Sequence, residues 1–147
     1  MASDGVGLVG LWFDGQRHFA ETLAQQHEER DGLPVFDQTR RWLDVYFGGR
    51  VPNFTPPLVM RGSGFRCRVW EFLLTISYGE TLTYGDIAKR FEIRSAQAVG
   101  GAVGHNPISL IIPCHRVVGA NGSLTGYAGG LERKRWLIGW ENHNDYS

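Results

Sequence analysis

The sequence has few cysteines and no long hydrophobic run. Only two of its 147 residues, Cys67 and Cys114, are cysteine. This excludes a disulfide-stapled fold and a zinc-finger set of four ligands at the usual spacing. No run approaches the 18 apolar residues of a membrane-spanning helix, and the first five residues lack the basic and apolar segments of a secretory signal. These absences predict a protein of the reducing cytoplasm, with no membrane association and no metal.

The sequence also has no net charge. Its 15 basic residues balance 15 acidic ones, and 42% of its residues are hydrophobic. Such a composition is typical of a folded protein of one average domain or two small ones, and excludes a disordered chain. Residues 1–60 hold five basic against eight acidic side chains, and residues 61–147 hold ten against seven. The basic back half permits a polyanionic partner, although the excess is too small to establish one.

A proline-rich segment divides the sequence. Residues 51–57 contain three of the six prolines, which predicts a boundary between an N-terminal domain (1–52), a linker (53–62) and a C-terminal domain (63–147). Ahead of it, residues 6–13 are rich in valine, leucine and aromatic residues and lie between two Asp-Gly turns, so we expect a strand. Residues 36–47 have apolar residues at helical spacing and end before two glycines, which predicts a helix.

The back half has the pattern of several short helices. Apolar residues recur at helical spacing over 65–76 behind a capping serine, Ser63, which predicts a helix there. A variant capping box at Thr83 predicts a short helix through about Phe91, followed by a brief link and a second helix over 96–103. Two short helices joined in this way are a candidate helix-turn-helix, a motif that binds DNA in some proteins and only packs in others.

The second helix of that pair is rich in alanine and glycine, with both Gly100 and Gly101 in its interior. Each glycine weakens a helix by roughly 1 kcal/mol relative to alanine. Close approach of another backbone would offset this cost. That backbone could belong to a neighbouring helix or to a nucleic acid, and the sequence pattern fits both.

Cys114 lies in the segment Pro-Cys-His-Arg, behind apolar residues 110–112 that predict a short buried strand. Most cysteines in such a place are inert core thiols. The neighbouring His115 favours a nucleophile instead, because an ordinary thiol is only a few per cent thiolate at pH 7 and needs a base. Glu141, at the end of a predicted helix over 131–141, is the candidate that orients this base. Because neighbours on a strand point to opposite faces, we expect His115 to reach the sulfur through a water.

Residues 95–141, which include PCHRVVGANGSLTGYAGG, resemble the C-terminal domain of O6-alkylguanine-DNA alkyltransferases. Looser matches at 10–13, 41–43 and 64–81 extend the resemblance over nearly the whole chain. It implies an α/β (α+β) fold: a small ribonuclease H-like sheet-and-helix domain, then a helical winged helix-turn-helix-like domain. The chain begins where the family's first strand should end, so we expect that strand to be lacking. The resemblance further implies a monomer without a cofactor.

The resemblance also implies a reaction. The protein would flip an O6-alkylguanine, or less readily an O4-alkylthymine, out of double-stranded DNA and transfer its alkyl group irreversibly to Cys114. His115 and Glu141 would relay the thiol proton, and Asn106 would hold the turn near the cysteine. Tyr84 would donate a hydrogen bond to N3 of the departing guanine.

Two further sets of residues are assigned by the same resemblance. The flipped base would contact Tyr127 and Ala128 in a loop, the Val117 carbonyl, and the surroundings of Lys134. The duplex would contact the second helix of the pair and the link before it, through Arg94, Ser95, Ala96, Gln97 and Gly100. Many family members have an arginine where this chain has Gln97, which predicts weaker or more salt-tolerant binding unless Arg94 compensates.

Three classes of function therefore stand at this stage. The first is the alkyl-accepting repair protein. The second is a non-reactive binder of damaged DNA of the related alkyltransferase-like type, which typically lacks the acceptor cysteine. The third is a thiol hydrolase that uses cysteine, histidine and glutamate, although it would leave the helix pair unexplained.

Overall fold

A computed structural model describes residues 1–18, 20, 28–124 and 127–142 of the chain. Within that part, the protein is a mixed α/β fold with two small two-stranded sheets. No described helix is long and apolar enough to cross a membrane. The elements, in chain order, are β1 (Ala2–Ser3), β2 (Leu8–Gly10), α1 (Pro34–Phe47), α2 (Gly64–Leu73), β3 (Leu82–Thr83), α3 (Tyr84–Arg90), α4 (Ala96–Gly104), β4 (Val117–Val118) and α5 (Leu131–Glu141).

The front of the chain forms a hairpin, and the expectation that the first strand is lacking is wrong. β1 pairs antiparallel with β2. The turn between them is closed by Asp4, whose carboxylate accepts the N–H groups of Val6 and Gly7 at 2.9 Å each. Gly5 adopts a φ of +98°, which a side chain would resist. A two-residue strand therefore survives at the edge of the sheet, and the strand predicted over 6–13 is shortened to β2.

The proline-rich segment lies along the same sheet. The Leu8 N–H donates to the Pro57 carbonyl at 2.7 Å, and the Val59 N–H donates to the Leu8 carbonyl at 2.9 Å. Residues 57–59, which connect the two halves of the chain, thus hydrogen-bond to β2. Buried side chains of both halves share one hydrophobic cluster, which includes Leu8, Phe36, Trp42, Tyr46, Val69, Trp70, Ile87, Val99, Ile112 and Leu137.

The helices begin where the sequence predicts. α1 starts at Pro34, two residues before the predicted start, because the fixed φ of proline suits the first helical position. Ser63 caps α2 by accepting the Arg66 N–H at 3.2 Å. Thr83 and Asp86 form the predicted capping box of α3. The short α3 packs against α4, and both lie over α2.

The strand predicted at residues 110–112 is wrong. These residues form a buried turn in which Leu110 has a φ of +70°. The cause is Asn106, whose amide donates to the carbonyls of Ile108 and Ile112 at 3.3 and 2.9 Å and whose oxygen accepts the Ile108 N–H at 2.9 Å. These bonds replace those of a strand ladder. The chain then enters a 3₁₀ turn at Cys114–Arg116.

Candidate active site

Cys114 opens the 3₁₀ turn and is only 2% exposed. Burial raises the pKa of its thiol to about 11, although a hydrogen bond from the Asn106 side chain and the charge of Lys134 act in the opposite direction. The resting sulfur is therefore protonated at neutral pH. A reaction at this sulfur requires a base that removes the proton as the new bond forms.

His115 follows Cys114 in the same turn, so the strand geometry expected from the sequence does not apply to this pair. Its imidazole is fully buried, and its Nε2 lies 2.5 Å from Glu141 Oε2. Burial lowers the pKa of His115 against the opposing effect of Glu141. The ring is thus neutral at rest, although it is held by a carboxylate.

Glu141 receives donors on both of its oxygens. Arg116 donates from Nε to Oε1 at 2.8 Å and from Nη2 to Oε2 at 3.2 Å, and the Gly79 N–H donates to Oε1 at 3.2 Å. The Tyr46 hydroxyl donates to Oε2 at 2.7 Å. Burial alone would favour the neutral acid, but the hydrogen bonds from His115 and Arg116 and the charge of Arg116 lower the pKa of Glu141 to about 2.

The ionised carboxylate fixes the tautomer of His115. An acceptor with no proton of its own requires N–H at Nε2, so Nδ1 of the neutral ring carries the lone pair. Nδ1 is buried and has no hydrogen-bond partner among the described side chains and backbone. The site therefore holds a base whose free nitrogen is shielded from bulk water and oriented from the opposite side.

Lys134 lies near Cys114, and Tyr84 lies beside Lys134. Lys134 is fully buried in α5, and its ammonium lies 5.6 Å from the centre of the Tyr84 ring. Burial lowers the pKa of Lys134 to about 8, while the Cys114 sulfur opposes the shift. Val117, directly after the 3₁₀ turn, is buried in β4. The charge of Lys134 thus acts on the sulfur, where negative charge would develop, and the Tyr84 phenol lies beside that ammonium.

The loop that ends at α5 closes the site from another side. The Tyr127 ring is buried and meets the His115 ring edge-on at 6.4 Å. The Ala128 carbonyl accepts the Arg17 N–H at 3.0 Å, which ties the loop to the front of the chain. A cavity of about 500 Å³ opens between this loop and α4, lined among others by Gly100, Gly101, His105, Tyr127 and Ala128.

The residues assigned to DNA lie apart from this buried cluster, on the surface. Arg94, Ser95, Ala96 and Gln97 are exposed at the start of α4, and the Ser95 hydroxyl caps the helix by accepting the Ala98 N–H at 3.3 Å. Further along the helix, Gly100 faces Tyr84: a Cβ placed on it would lie 4.0 Å from the ring. The exposed surface assigned to DNA and the buried site around Cys114 thus come together at the middle of α4.

Tyr46 is the site residue that the sequence interpretation missed. It lies 95 positions before Glu141, in the helix of the other half of the chain, and is fully buried. The helical spacing of the apolar residues around Tyr46 predicts only a core residue, and no pattern in the sequence links Tyr46 to Glu141. Within the part of the chain that the structure describes, no group of three or more histidine, cysteine or acidic side chains could hold a metal ion. His27 and His143, whose scattered positions in the sequence favour solvated surface over a metal site, lie outside the described residues.

The comparisons with known proteins agree with this arrangement. The model of the 6-O-methylguanine DNA methyltransferase DNA-binding domain matches residues 64–143. The methylated-DNA–protein-cysteine methyltransferase of Haemophilus influenzae is 42% identical over 92% of this chain and 75% of its own length. That of Methanosarcina mazei is 42% identical over 98% and 90%. That of Mycobacterium tuberculosis is 55% identical over 65% of this chain, and the match spans 59% of that relative.

Two solved structures are also similar. The crystal structure of Mycobacterium tuberculosis OGT in complex with DNA has a TM-score of 0.84 and 42% identity, covering 99% of this chain and 87% of that one. The O6-methylguanine-DNA methyltransferase of Pyrococcus kodakaraensis has a TM-score of 0.60 and 31% identity, over 80% and 67%. Fold and site define a small mixed α/β protein with a buried cysteine–histidine–glutamate cluster. The chain belongs to the O6-methylguanine DNA methyltransferase family.

Proposed function

We propose that this chain repairs DNA directly by moving the alkyl group of O6-alkylguanine, and less readily of O4-alkylthymine, onto Cys114. The observation that carries this proposal is the buried His115–Glu141 pair beside the thiol, in a chain whose relatives are named for transfer to a protein cysteine. A buried thiol next to an oriented base fits a nucleophile better than an inert core cysteine.

The reaction is a displacement at the alkyl carbon. The Cys114 thiol gives its proton, through a bridging water, to Nδ1 of His115, while Glu141 stabilises the imidazolium that forms. The sulfur donates an electron pair to the alkyl carbon, and the bond from that carbon to guanine O6 breaks. The departing guanine anion takes up a proton, His115 gives up the proton that came from the thiol, and the products are S-alkylcysteine and neutral guanine. Because no step restores the thiol, each protein molecule reacts once.

The purine leaves more easily when its developing negative charge is neutralised. We assign this task to the Tyr84 hydroxyl, at guanine N3. Tyr127 and Ala128 would cover the flipped base, and the Val117 carbonyl would accept a hydrogen bond from its exocyclic amine. Lys134, beside both Cys114 and Tyr84, would stabilise negative charge on the sulfur during the transfer.

Access to the O6 carbon requires the base to leave the helix stack. The exposed N-terminal half of α4, with few bulky side chains, supports insertion into the minor groove, where contacts depend more on shape and phosphate than on sequence. Arg94, Ser95, Ala96 and Gly100 would contact the backbone. Gln97 would fill the gap left by the flipped base.

The finer organisation is part of the same proposal. We assign α3 and α4 to a winged helix-turn-helix-like domain over residues 63–147, and residues 1–52 to a ribonuclease H-like domain, with 53–62 as the linker. The shared hydrophobic cluster supports a tight association of the two parts. We expect a monomer that needs no cofactor and works in the cytoplasm, where both cysteines stay reduced; both are free thiols in the structure.

Mass spectrometry after incubation with duplex DNA containing O6-methylguanine tests this function. The expected result is one permanent methyl adduct on Cys114, with no second turnover. Cys114→Ser should form no adduct while binding DNA nearly as well as the unchanged protein, and Cys67→Ser is the matched control that should react normally. Binding without an adduct would indicate a non-reactive lesion binder, and repeated turnover a hydrolase. An adduct on Cys67 would contradict the site assignment.

A further inference from the structure

The hydroxyl of Tyr46 is bound to the same carboxylate oxygen as the candidate base. Oε2 of Glu141 accepts from Tyr46 at 2.7 Å and from His115 Nε2 at 2.5 Å. Tyr46 is fully buried in α1, and its ring stacks on Trp42 with centroids 5.3 Å apart and planes 10° from parallel. The stacked ring allows the hydroxyl little freedom to turn away.

Arg116 Nη2 also donates to Oε2 at 3.2 Å, and donors that share one oxygen compete for its electron density. A hydrogen bond that stabilises the ionised form of a carboxylate makes that carboxylate a weaker partner for any other donor. The bond from Tyr46 therefore weakens the pull of Glu141 on the His115 proton, and the stabilisation of a protonated His115 becomes smaller. The tyrosine remains a neutral donor throughout, because burial and the nearby carboxylate raise its pKa far above the working range.

We propose that Tyr46 is a positioning residue of the alkyl transfer: its hydroxyl, supplied by the N-terminal half of the chain, holds Glu141 and sets how strongly His115 binds a proton. This inference rests on the proposed function for its kinetic consequence, but its structural part concerns only the resting protein. The front half of the chain thereby contributes directly to the proton relay as well as to the fold.

The His115–Glu141 pair has neighbours from each element packed around it. None of these neighbours would replace the hydrogen bond of a lost Tyr46 hydroxyl. Arg116 holds its guanidinium against both carboxylate oxygens, and the Tyr78 ring lies 5.6 Å from that guanidinium. The Tyr78 hydroxyl is buried, with no partner among the described residues. The remaining titratable or charged groups that face the pair are Cys114, Tyr127 and Lys134.

The test compares the unchanged protein with three variants, each of which alters one buried tyrosine hydroxyl. Tyr46→Phe keeps the stacked ring and removes only the donor. Tyr78→Phe is the matched control, because it removes a second buried hydroxyl of the same cluster that has no bond to Glu141. Site-specific 3-fluorotyrosine at position 46 keeps the hydroxyl and makes it a stronger donor. This third protein keeps the inference testable even if Tyr46→Phe does not fold.

Two quantities are measured on each protein. One is the rate of Cys114 methylation against pH, at saturating duplex DNA containing O6-methylguanine, with DNA affinity determined separately. The other is the pKa of His115 by imidazole NMR of the unreacted protein. Tyr46→Phe should move both midpoints upward by about half a pH unit or more, since a single hydrogen bond to a carboxylate acts on this scale. The 3-fluorotyrosine protein should move them downward, and Tyr78→Phe should leave them unchanged.

A uniform loss of rate with an unmoved pH midpoint would reduce Tyr46 to a structural role and overturn the inference. An unmoved His115 pKa in both position-46 proteins would overturn it as well. If the unchanged protein forms no methyl adduct, the proposed function fails, yet the NMR titration still decides whether Tyr46 sets the proton affinity of His115.

Discussion

At the scale of single residues, some members of the site can be predicted from the sequence and others cannot. Cys114, His115 and Asn106 lie within ten positions of one another, so their chemistry is readable in one short segment. Glu141 is recognisable because it ends a predicted helix in a family-like segment. Tyr46 reaches that glutamate across 95 positions, and its neighbours in sequence predict only a buried aromatic residue. A hydrogen bond formed by tertiary packing leaves no local pattern.

Gln97 gives the residue-scale prediction for DNA. It is exposed on α4, and in the proposed gap in the duplex it would offer hydrogen-bonding groups but no cation. Each cation that neutralises a phosphate contributes about −0.9 to the slope of log affinity against log salt. Gln97→Arg should therefore tighten duplex binding at low salt and steepen that slope by up to about one unit. Fluorescence anisotropy of a labelled duplex over a salt series measures both quantities.

Two further variants test whether these effects are specific to position 97. Gln38→Arg adds the same charge on α1, outside the proposed interface, and should leave the salt slope unchanged. Gln97→Ala should slow repair of duplex DNA, because the orphaned cytosine loses its plug, while reaction with free O6-benzylguanine, which requires no flipping, stays nearly the same. Equal losses on the duplex and on the free base would mean that Gln97 supports the pocket instead.

At the scale of the elements, α4 is a helix whose composition disfavours it. Packing explains how it forms: the Trp70 indole donates to the Ala102 carbonyl at 2.8 Å, and Val99, Ala102 and Val103 are buried. The opposite face is different. A Cβ on Gly101 would meet nothing within 4 Å, so the folded protein itself does not require glycine there. We propose close approach by a nucleic-acid backbone, one of the two alternatives that the composition of this helix allows, as the reason for it.

Gly101→Ala should accordingly separate stability from function. The free protein should become more stable by up to about 1 kcal/mol, because alanine favours the helix. Duplex binding and repair should weaken, because the added methyl group holds the DNA backbone away. Urea unfolding followed by tryptophan fluorescence measures the first effect, and anisotropy the second. Gly64→Ala in α2, where a Cβ would make only an ordinary contact with Arg68, is the control that should leave DNA binding intact; unchanged DNA binding in Gly101→Ala would contradict the interface.

The same scale shows why local prediction succeeds for helices and fails for the shortest elements. Capping residues and apolar spacing place the starts of α2 and α3 within a residue or so, although α2 ends three residues before the predicted end, and α5 has the predicted bounds. β1 depends on a hairpin closed by a single aspartate, and its two residues carry no pattern of alternation. Residues 110–112 are apolar, and two of the three are β-branched, as in a buried strand, but the Asn106 side chain bonds the carbonyls of Ile108 and Ile112 and the Ile108 N–H. Side-chain bonds to backbone override propensity at both places.

At the scale of the whole molecule, the buried polar cluster links the two halves. Tyr46 comes from α1, Gly79 from the loop behind α2, His115 and Arg116 from the 3₁₀ turn, and Glu141 from the end of α5. Removing one member would leave buried charge without its partners, which is far more costly than an exposed ion pair. The cluster proposed to be catalytic is therefore also a structural one, and stability should respond to the ionisation of its members.

This coupling predicts a specific acid sensitivity. The pKa of Glu141 is lowered from 4.5 to about 2 in the folded protein, so its contribution to stability is complete above pH 4.5 and is lost as the pH falls towards 2. The pKa of His115 is also lowered, from 6.5, so stability begins to fall below that value. The Glu141 shift alone corresponds to about 3 kcal/mol.

Urea unfolding at a series of pH values should show this decline. Glu141→Gln should flatten its lower part, whereas replacement of the exposed Glu132 on the same helix by glutamine should not. A free energy of unfolding that stays constant below pH 6.5 would mean that the cluster is not ionised as the geometry requires.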